Sequence, residues 1–209
     1  MIDFWEHNFK EKQTMWGFEP ANSAILVKDF FVKEKISDIL IPGIGYGRNA
    51  KIFLESEMNV TGIEISKTAI DLARTENKLV IPIYHGSVAE MPFDDKLYNG
   101  IFNYALIHLL NKRERKKFIG DCYRQLKSGG YMFFSAISKN DPLYAKGKIV
   151  SRDRFETMKG ATLFFYDAVS ITREFGKYGL MDFYEIDEPI KFNNHHPPMK
   201  FTLIKCQKT

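Results

Sequence analysis

Three glycines, Gly43, Gly45 and Gly47, alternate with Ile44 and Tyr46 directly after an apolar run. Glycine lets a turn take positive φ and lets a ligand come close to the backbone. Glu64 follows Gly43 by 21 residues, near the spacing of about 20 at which an acidic residue accepts hydrogen bonds from a ribose. A carboxylate offers two oxygens to a vicinal diol. Together these residues have the chemistry of a cradle for a nucleotide-like ligand. In a dinucleotide fingerprint, G-x-G-x-x-G, the third glycine would fall at Arg48, which argues against a nicotinamide-dependent oxidoreductase.

Other side chains suited to chemistry are scattered. Asn103 and Tyr104 end one apolar run, and His108 follows them; His195 and His196 lie in a polar stretch near the C-terminus. Tyr104, His108, His195 and His196 are the candidate bases. Ser87 and Val88 sit in a polar turn that reaches Pro92. Cys122 and Cys206 lack metal-ligand spacing, so neither a metal nor a disulfide is expected, and a reducing cytoplasm is the expected compartment.

The elements that must hold these groups follow from the apolar pattern. Ile39, Leu40 and Ile41 predict a strand covered on both faces, and a helix from about Gly47 to Glu55 points its free N–H groups back at the glycine turn. Val60–Glu64 reads as the next strand, and Ser66 caps a helix running to about Asn77. Leu79–Tyr84 reads as a third strand, with Pro82 suited to an edge. Tyr98–Ala105 and Tyr131–Ile137 are the fourth and fifth strands. The basic run Lys112–Lys117 reads as a solvated helix face, with Phe118, Ile119, Cys122 and Leu126 turned inward and Ser128-Gly129-Gly130 ending the helix. Upstream, Ala21–Val32 predicts a helix that buries Ile25, Leu26, Phe30 and Phe31, capped by Asn22 or Ser23. A helix over 167–177 and two strands, Leu180–Ile186 and Lys200–Cys206, close the chain as an antiparallel edge.

Two segments fall outside this alternation. Residues 1–24 carry Phe4, Trp5, Phe9, Trp16 and Phe18, either as a helix on the domain edge or as a lid over the cleft. Residues 138–166 have weak periodicity, and a connection of that length is either a substrate-side lid or disordered.

The 209 residues fit one domain. A net charge of +4 is too small to require nucleic acid. No apolar run approaches a membrane span, and the N-terminus lacks the pattern of a signal peptide.

The G-x-G-x-G turn followed by a strand ending in Glu64 resembles motif I and its acidic partner in the S-adenosylmethionine-dependent methyltransferases. Within that superfamily the chain looks most like the thiopurine and tellurite-resistance methyltransferases. The resemblance rests on Leu40-Ile41-Pro42-Gly43, on Trp5, Phe9 and Trp16, and on Ser87-Val88 followed by Pro92. It implies an α/β, Rossmann-like, doubly wound seven-stranded sheet, mostly parallel with an antiparallel C-terminal strand and helices on both faces. It also implies a cofactor, S-adenosylmethionine, lined by Trp5, Trp16, Gly43, Gly45, Gly47, Glu64, Ile65, Ser87, Val88, Asn103 and Tyr104. In that family Ser87 would bond the adenine amine and the Val88 N–H a ring nitrogen. The expected reaction is methyl transfer to a small molecule (a thiol, another chalcogen, an amine or a hydroxyl) by a monomer or weak homodimer. The alternatives are a protein or RNA methyltransferase, or a module that holds the cofactor without turnover. Nucleobase methylation is disfavoured, because Asn103-Tyr104-Ala105-Leu106 lacks the Asn/Asp-Pro-Pro-aromatic motif.

Overall fold

A computed structural model describes residues 2–157, 160–188 and 198–209. Its centre is a seven-stranded sheet in the order β3-β2-β1-β4-β5-β10-β9. The strands are β1 (Asp38–Pro42), β2 (Asn59–Glu64), β3 (Ile83–His85), β4 (Tyr98–Tyr104), β5 (Leu126–Ile137), β9 (Leu180–Glu188) and β10 (Met199–Gln207). The first five are parallel, and β10 runs antiparallel to both β5 and β9. Successive side chains of a strand face opposite ways. Leu40 accordingly enters the core on one side of the sheet and Ile39 and Ile41 the core on the other. Helices α5 (Lys112–Gln125) and α6 (Ala168–Phe175) cover the first side through Phe118, Ile119, Ile171 and Phe175. Helices α2 (Asn22–Lys33) and α3 (Ala50–Leu54) cover the second through Val27, Phe31 and Phe53. The doubly wound architecture and its antiparallel C-terminal strand are as expected.

Several local expectations are corrected. Strand β3 spans only Ile83–His85, because Pro82 has no N–H to donate; its carbonyl still accepts from Gly62 N at 2.9 Å. Helix α3 starts at Ala50, since Gly47 has a φ of +81°, which no right-handed helix accommodates. Residues Leu126–Gly130 belong to β5 instead of ending a helix: Tyr98 pairs with Leu126 and Gly100 with Tyr131, so the intervening residues bulge. Helix α2 turns Ser23, Ala24, Val27 and Phe31 inward and leaves Ile25 and Leu26 exposed. Neither Asn22 nor Ser23 caps it. The buried Glu188 carboxylate instead accepts from Asn22 N and Ser23 N at 3.0 and 2.8 Å, a negative charge at the positive end of the helix dipole.

The basic run is not wholly solvated. Arg115 is buried and forms a bidentate pair with Glu174 at 3.0 and 3.1 Å. Its guanidinium also donates to Leu110 O at 3.0 Å and lies 3.8 Å from the Phe164 ring centroid.

The described residues of the 138–166 connection include a three-stranded antiparallel meander, β6 (Lys148–Ser151), β7 (Arg154–Glu156) and β8 (Thr162–Phe164). Residues 2–12 form helix α1 (Ile2–Lys12), which packs on α4 (Lys67–Thr75). Ser66 caps α4 as expected, accepting from Ala69 N at 3.1 Å, and its hydroxyl donates to Glu6 at 2.7 Å. Ser66→Ala is therefore expected to destabilise the protein by about 1–2 kcal/mol, through the cap and the Glu6 bond together. Urea unfolding measures it, and an unchanged midpoint would contradict the cap.

Candidate functional site

The site is built at the carboxyl ends of β1 and β2. Gly43 N and Ile44 N donate to Ile63 O at 2.8 and 3.1 Å, which pins the glycine turn to the neighbouring strand. A Cβ on Gly43 would collide with the Leu106 side chain, so that position is closed by packing. Gly45, with φ +56°, faces only the Phe9 ring, 3.8 Å from where a Cβ would stand. The backbone there is open to a ligand and to α1.

The buried Glu64 carboxylate accepts from three backbone donors: Gly45 N at 2.8 Å on one oxygen, and Ile65 N and Ser66 N, each at 2.9 Å, on the other. Burial raises its pKa above the ordinary carboxylate value, and the N–H donors work against that rise. A carboxylate has about four lone-pair sites, so one remains for a hydroxyl donor on the oxygen that Gly45 touches. This donor set fits the ribose of a nucleoside cofactor.

A short turn follows the next strand end. Ser87 starts a single 3-10 turn, Val88–Glu90, and its hydroxyl accepts from Ala89 N at 3.2 Å. Gly86 lies against Phe93, whose ring stacks on Tyr84. The Ile65 carbonyl contacts the His85 ring at 3.1 Å, tying β3 to the segment after Glu64.

Helix α1 covers the turn. Phe9 is buried with Tyr46 and Ala69, and Trp5 packs against this group. Trp16 is half-exposed and stacks on Tyr46, with centroids 6.2 Å apart and planes 10° apart. The Tyr46 hydroxyl donates to Gly17 O at 2.7 Å and accepts from Trp16 N at 3.1 Å. Glu6 accepts from the hydroxyls of Ser66 and Thr68, each at 2.7 Å, and these bonds help hold its carboxyl down at about 2, the Thr68 hydroxyl first. Tyr46 and Glu6 were not legible as site residues. Tyr46 stood inside the glycine motif, which was a usable signal; Glu6 had none.

The remaining candidates turn inward. Asn103 is buried; its amide donates to Pro42 O at 2.9 Å, joining β4 to β1, while its Oδ1 has no partner among the described residues. Tyr104 stacks on Phe201 with Arg48 over the ring, and burial raises its phenol pKa. His108 is buried, its Nδ1 accepts from Ile137 N at 3.2 Å, and burial pushes its pKa down to about 3. His195 and His196 lie outside the described residues.

Beside α1 is a cavity of about 230 Å³ walled by Phe4 and Trp5, by Leu109 just after β4, and by Arg154, Ala161 and Thr162 of the meander.

Residues 40–134 match the profile of the methyltransferase domain family. A Mycolicibacterium smegmatis protein described as a probable S-adenosylmethionine-dependent methyltransferase is 26% identical over 120 residues, 57% of this chain and 45% of that protein. The chain thus matches less than half the length of that curated relative. The chain is similar to S-adenosylmethionine-dependent methyltransferases. Solved methyltransferases share its fold. One from Methanosarcina mazei aligns with TM-score 0.70 and 17% identity over 83% of this chain and 92% of that one. The 1,6-didemethyltoxoflavin-N1-methyltransferase of Burkholderia thailandensis, with its acceptor and S-adenosylhomocysteine bound, aligns with TM-score 0.74 and 10% identity over 99% and 87%. TehB from Haemophilus influenzae aligns with TM-score 0.67 and 16% identity over 98% and 67%. In this fold Gly43, Gly45, Gly47, Glu64, Ile65, Ser87 and Val88 follow or end strands β1–β3 at their carboxyl ends, and Trp5 and Trp16 pack on the Phe9 and Tyr46 rings beside the glycine turn.

Proposed function

We propose that this chain transfers a methyl group from S-adenosylmethionine to a small-molecule acceptor. The observation that carries the reading is the buried Glu64 carboxylate beside the open Gly45 backbone. The narrow cavity next to α1 supports a small acceptor. So does the solved neighbour that holds a toxoflavin precursor.

When bound, the cofactor supplies an electrophilic methyl carbon on a sulfonium. The chain's part is then to orient the acceptor and exclude water, and positioning of this kind is worth roughly 7–11 kcal/mol. Glu64 holds the ribose, and the Ser87 turn holds the adenine. The aromatic group of Trp5, Phe9 and Trp16 covers the turn, and an aromatic face attracts a cation. Among the described residues this set offers no strong base. His108 is pushed down to about 3, and burial raises the Tyr104 phenol and the thiols of Cys122 and Cys206. An acceptor that ionises readily in solution, such as a thiol or another chalcogen, needs least help with its proton. That preference agrees with the resemblance to the thiopurine and tellurite-resistance branch.

Glu64→Gln is expected to weaken S-adenosylhomocysteine binding by roughly 10- to 150-fold, the worth of one charge-assisted acceptor at about 1.5–3 kcal/mol. A ribose hydroxyl donates to the ionised carboxylate, and the Glu64 pKa is raised. Affinity should therefore fall with falling pH, beginning above the ordinary carboxylate range, and the fall should vanish in Glu64→Gln. Calorimetry across pH measures both, and unchanged affinity in the variant would refute the assignment. Release of S-adenosylhomocysteine over a panel of thiols, amines, phenols and RNA identifies the acceptor class; turnover on RNA alone would overturn the small-molecule reading.

A further inference from the structure

We propose that the methyl acceptor carries a carboxylate, held by Arg154 in the cavity between α1 and the β6–β8 meander. This deepens the function proposed above and rests on it.

Arg154 is the charged side chain of that cavity. Among the described residues no carboxylate lies within 4 Å of it, whereas the neighbouring acids are already committed. Glu174 pairs with Arg115, and the Glu114 carboxylate accepts from Asn111 N at 2.8 Å. One guanidinium nitrogen of Arg154 reaches Leu109 O at a long 3.4 Å, and Nε is shielded from solvent with no partner. Burial, and after it the nearby Arg115 charge, depress the Arg154 pKa, and the Glu114 charge offsets only part of that. A half-buried cation that lacks a counterion and feels a second cation is unfavourable without a ligand anion.

The surroundings narrow the anion's type. A guanidinium presents parallel N–H donors that match a carboxylate bidentately. One cation balances one negative charge, which suits a carboxylate better than a dianionic phosphate. Phe4 and Trp5 supply an apolar aromatic part of the wall, suited to a flat or apolar body. Phe4 also lies close to Gly160, so the helix and the meander close on the cavity together. Leu109 places the cavity five residues beyond the end of β4, on the side of the sheet where the glycine turn and Glu64 lie. Trp5 lines this cavity and also packs on the Phe9 and Tyr46 group beside the glycine turn, so it borders both.

The test uses benzoate, its neutral counterpart benzamide, and phenyl phosphate, titrated calorimetrically into the intact protein with and without S-adenosylhomocysteine. Benzoate is expected to bind at least about tenfold more tightly than benzamide, and the difference should disappear in Arg154→Met. Arg154→Lys keeps the charge but loses the planar fork, and should retain only part of the preference; it also serves if Arg154→Met does not fold by circular dichroism. Equal binding of benzoate and benzamide, or a preference that survives substitution in a folded variant, would overturn the proposal. Tighter binding of phenyl phosphate than of benzoate would overturn the choice of carboxylate. A second readout compares turnover of 4-mercaptobenzoate with that of thiophenol, where kcat/KM should favour the carboxylate by a similar factor and lose that advantage in Arg154→Lys. The two layers fail separately. If benzoate binds selectively but S-adenosylhomocysteine does not bind, the methyltransferase reading fails and the anion site stands. If S-adenosylhomocysteine binds and benzoate shows no selectivity, the reverse holds.

Discussion

A Gly45→Val protein is expected to fold and to bind S-adenosylhomocysteine more than about a thousandfold less tightly. Gly45 has a φ of +56°, a conformation in which a β-branched residue is strained by roughly 1–3 kcal/mol. Its N–H donates to the Glu64 carboxylate, so any relief of that strain by rotation of the turn disturbs the group that would hold the ribose. The added methyl groups would also stand against the Phe9 ring, in the space beside the turn backbone. Strain, a displaced carboxylate and steric exclusion together exceed the roughly 4 kcal/mol that a thousandfold represents. The strain alone is below the stability of an ordinary domain, so the circular dichroism spectrum should be retained. Calorimetry decides the matter, and binding within tenfold of the parent would mean that the turn does not cradle the ligand.

Removal of residues 1–20 is expected to leave a folded sheet that has lost methyl transfer by at least about a hundredfold. The truncation begins at Ala21 because Ala21 N donates to Asn49 and precedes the first turn of α2. The buried group around Phe9, Tyr46 and Ala69 is separate from the two clusters that flank the sheet. Losing Phe9 costs about 3–5 kcal/mol, within what a domain of this size can bear. The cofactor site, however, would lose its cover of Trp5, Phe9 and Trp16, and with it the exclusion of water on which transfer depends. A lid also closes with ligand, so hydrogen exchange across α1 should slow when S-adenosylhomocysteine is added to the intact protein. An aggregating truncation, together with exchange that ignores the ligand, would make the segment an ordinary part of the core.

What the sequence alone determined is what local pattern encodes. Consecutive apolar residues at 39–41 could only be a strand buried on both faces, and the core clusters on either side of β1 bear that out. The glycine spacing, Glu64 and the Ser66 cap all depend on residues within one strand-turn-helix unit, so their register was readable. The tertiary structure decided wherever a partner lies far along the chain. Arg115 read as one more solvated cation because Glu174, which buries it, is 59 residues away. The backbone partners of Asn103 and His108, Pro42 and Ile137, are set by strand order and not by neighbours in sequence. Glu188 caps α2 from 165 residues away in place of Asn22 or Ser23. The meander had no clear period because its strands are only three or four residues long, too short to express one. Its packing beside α1 nevertheless places Arg154 in the cavity, an unpaired charge whose setting no local pattern could announce.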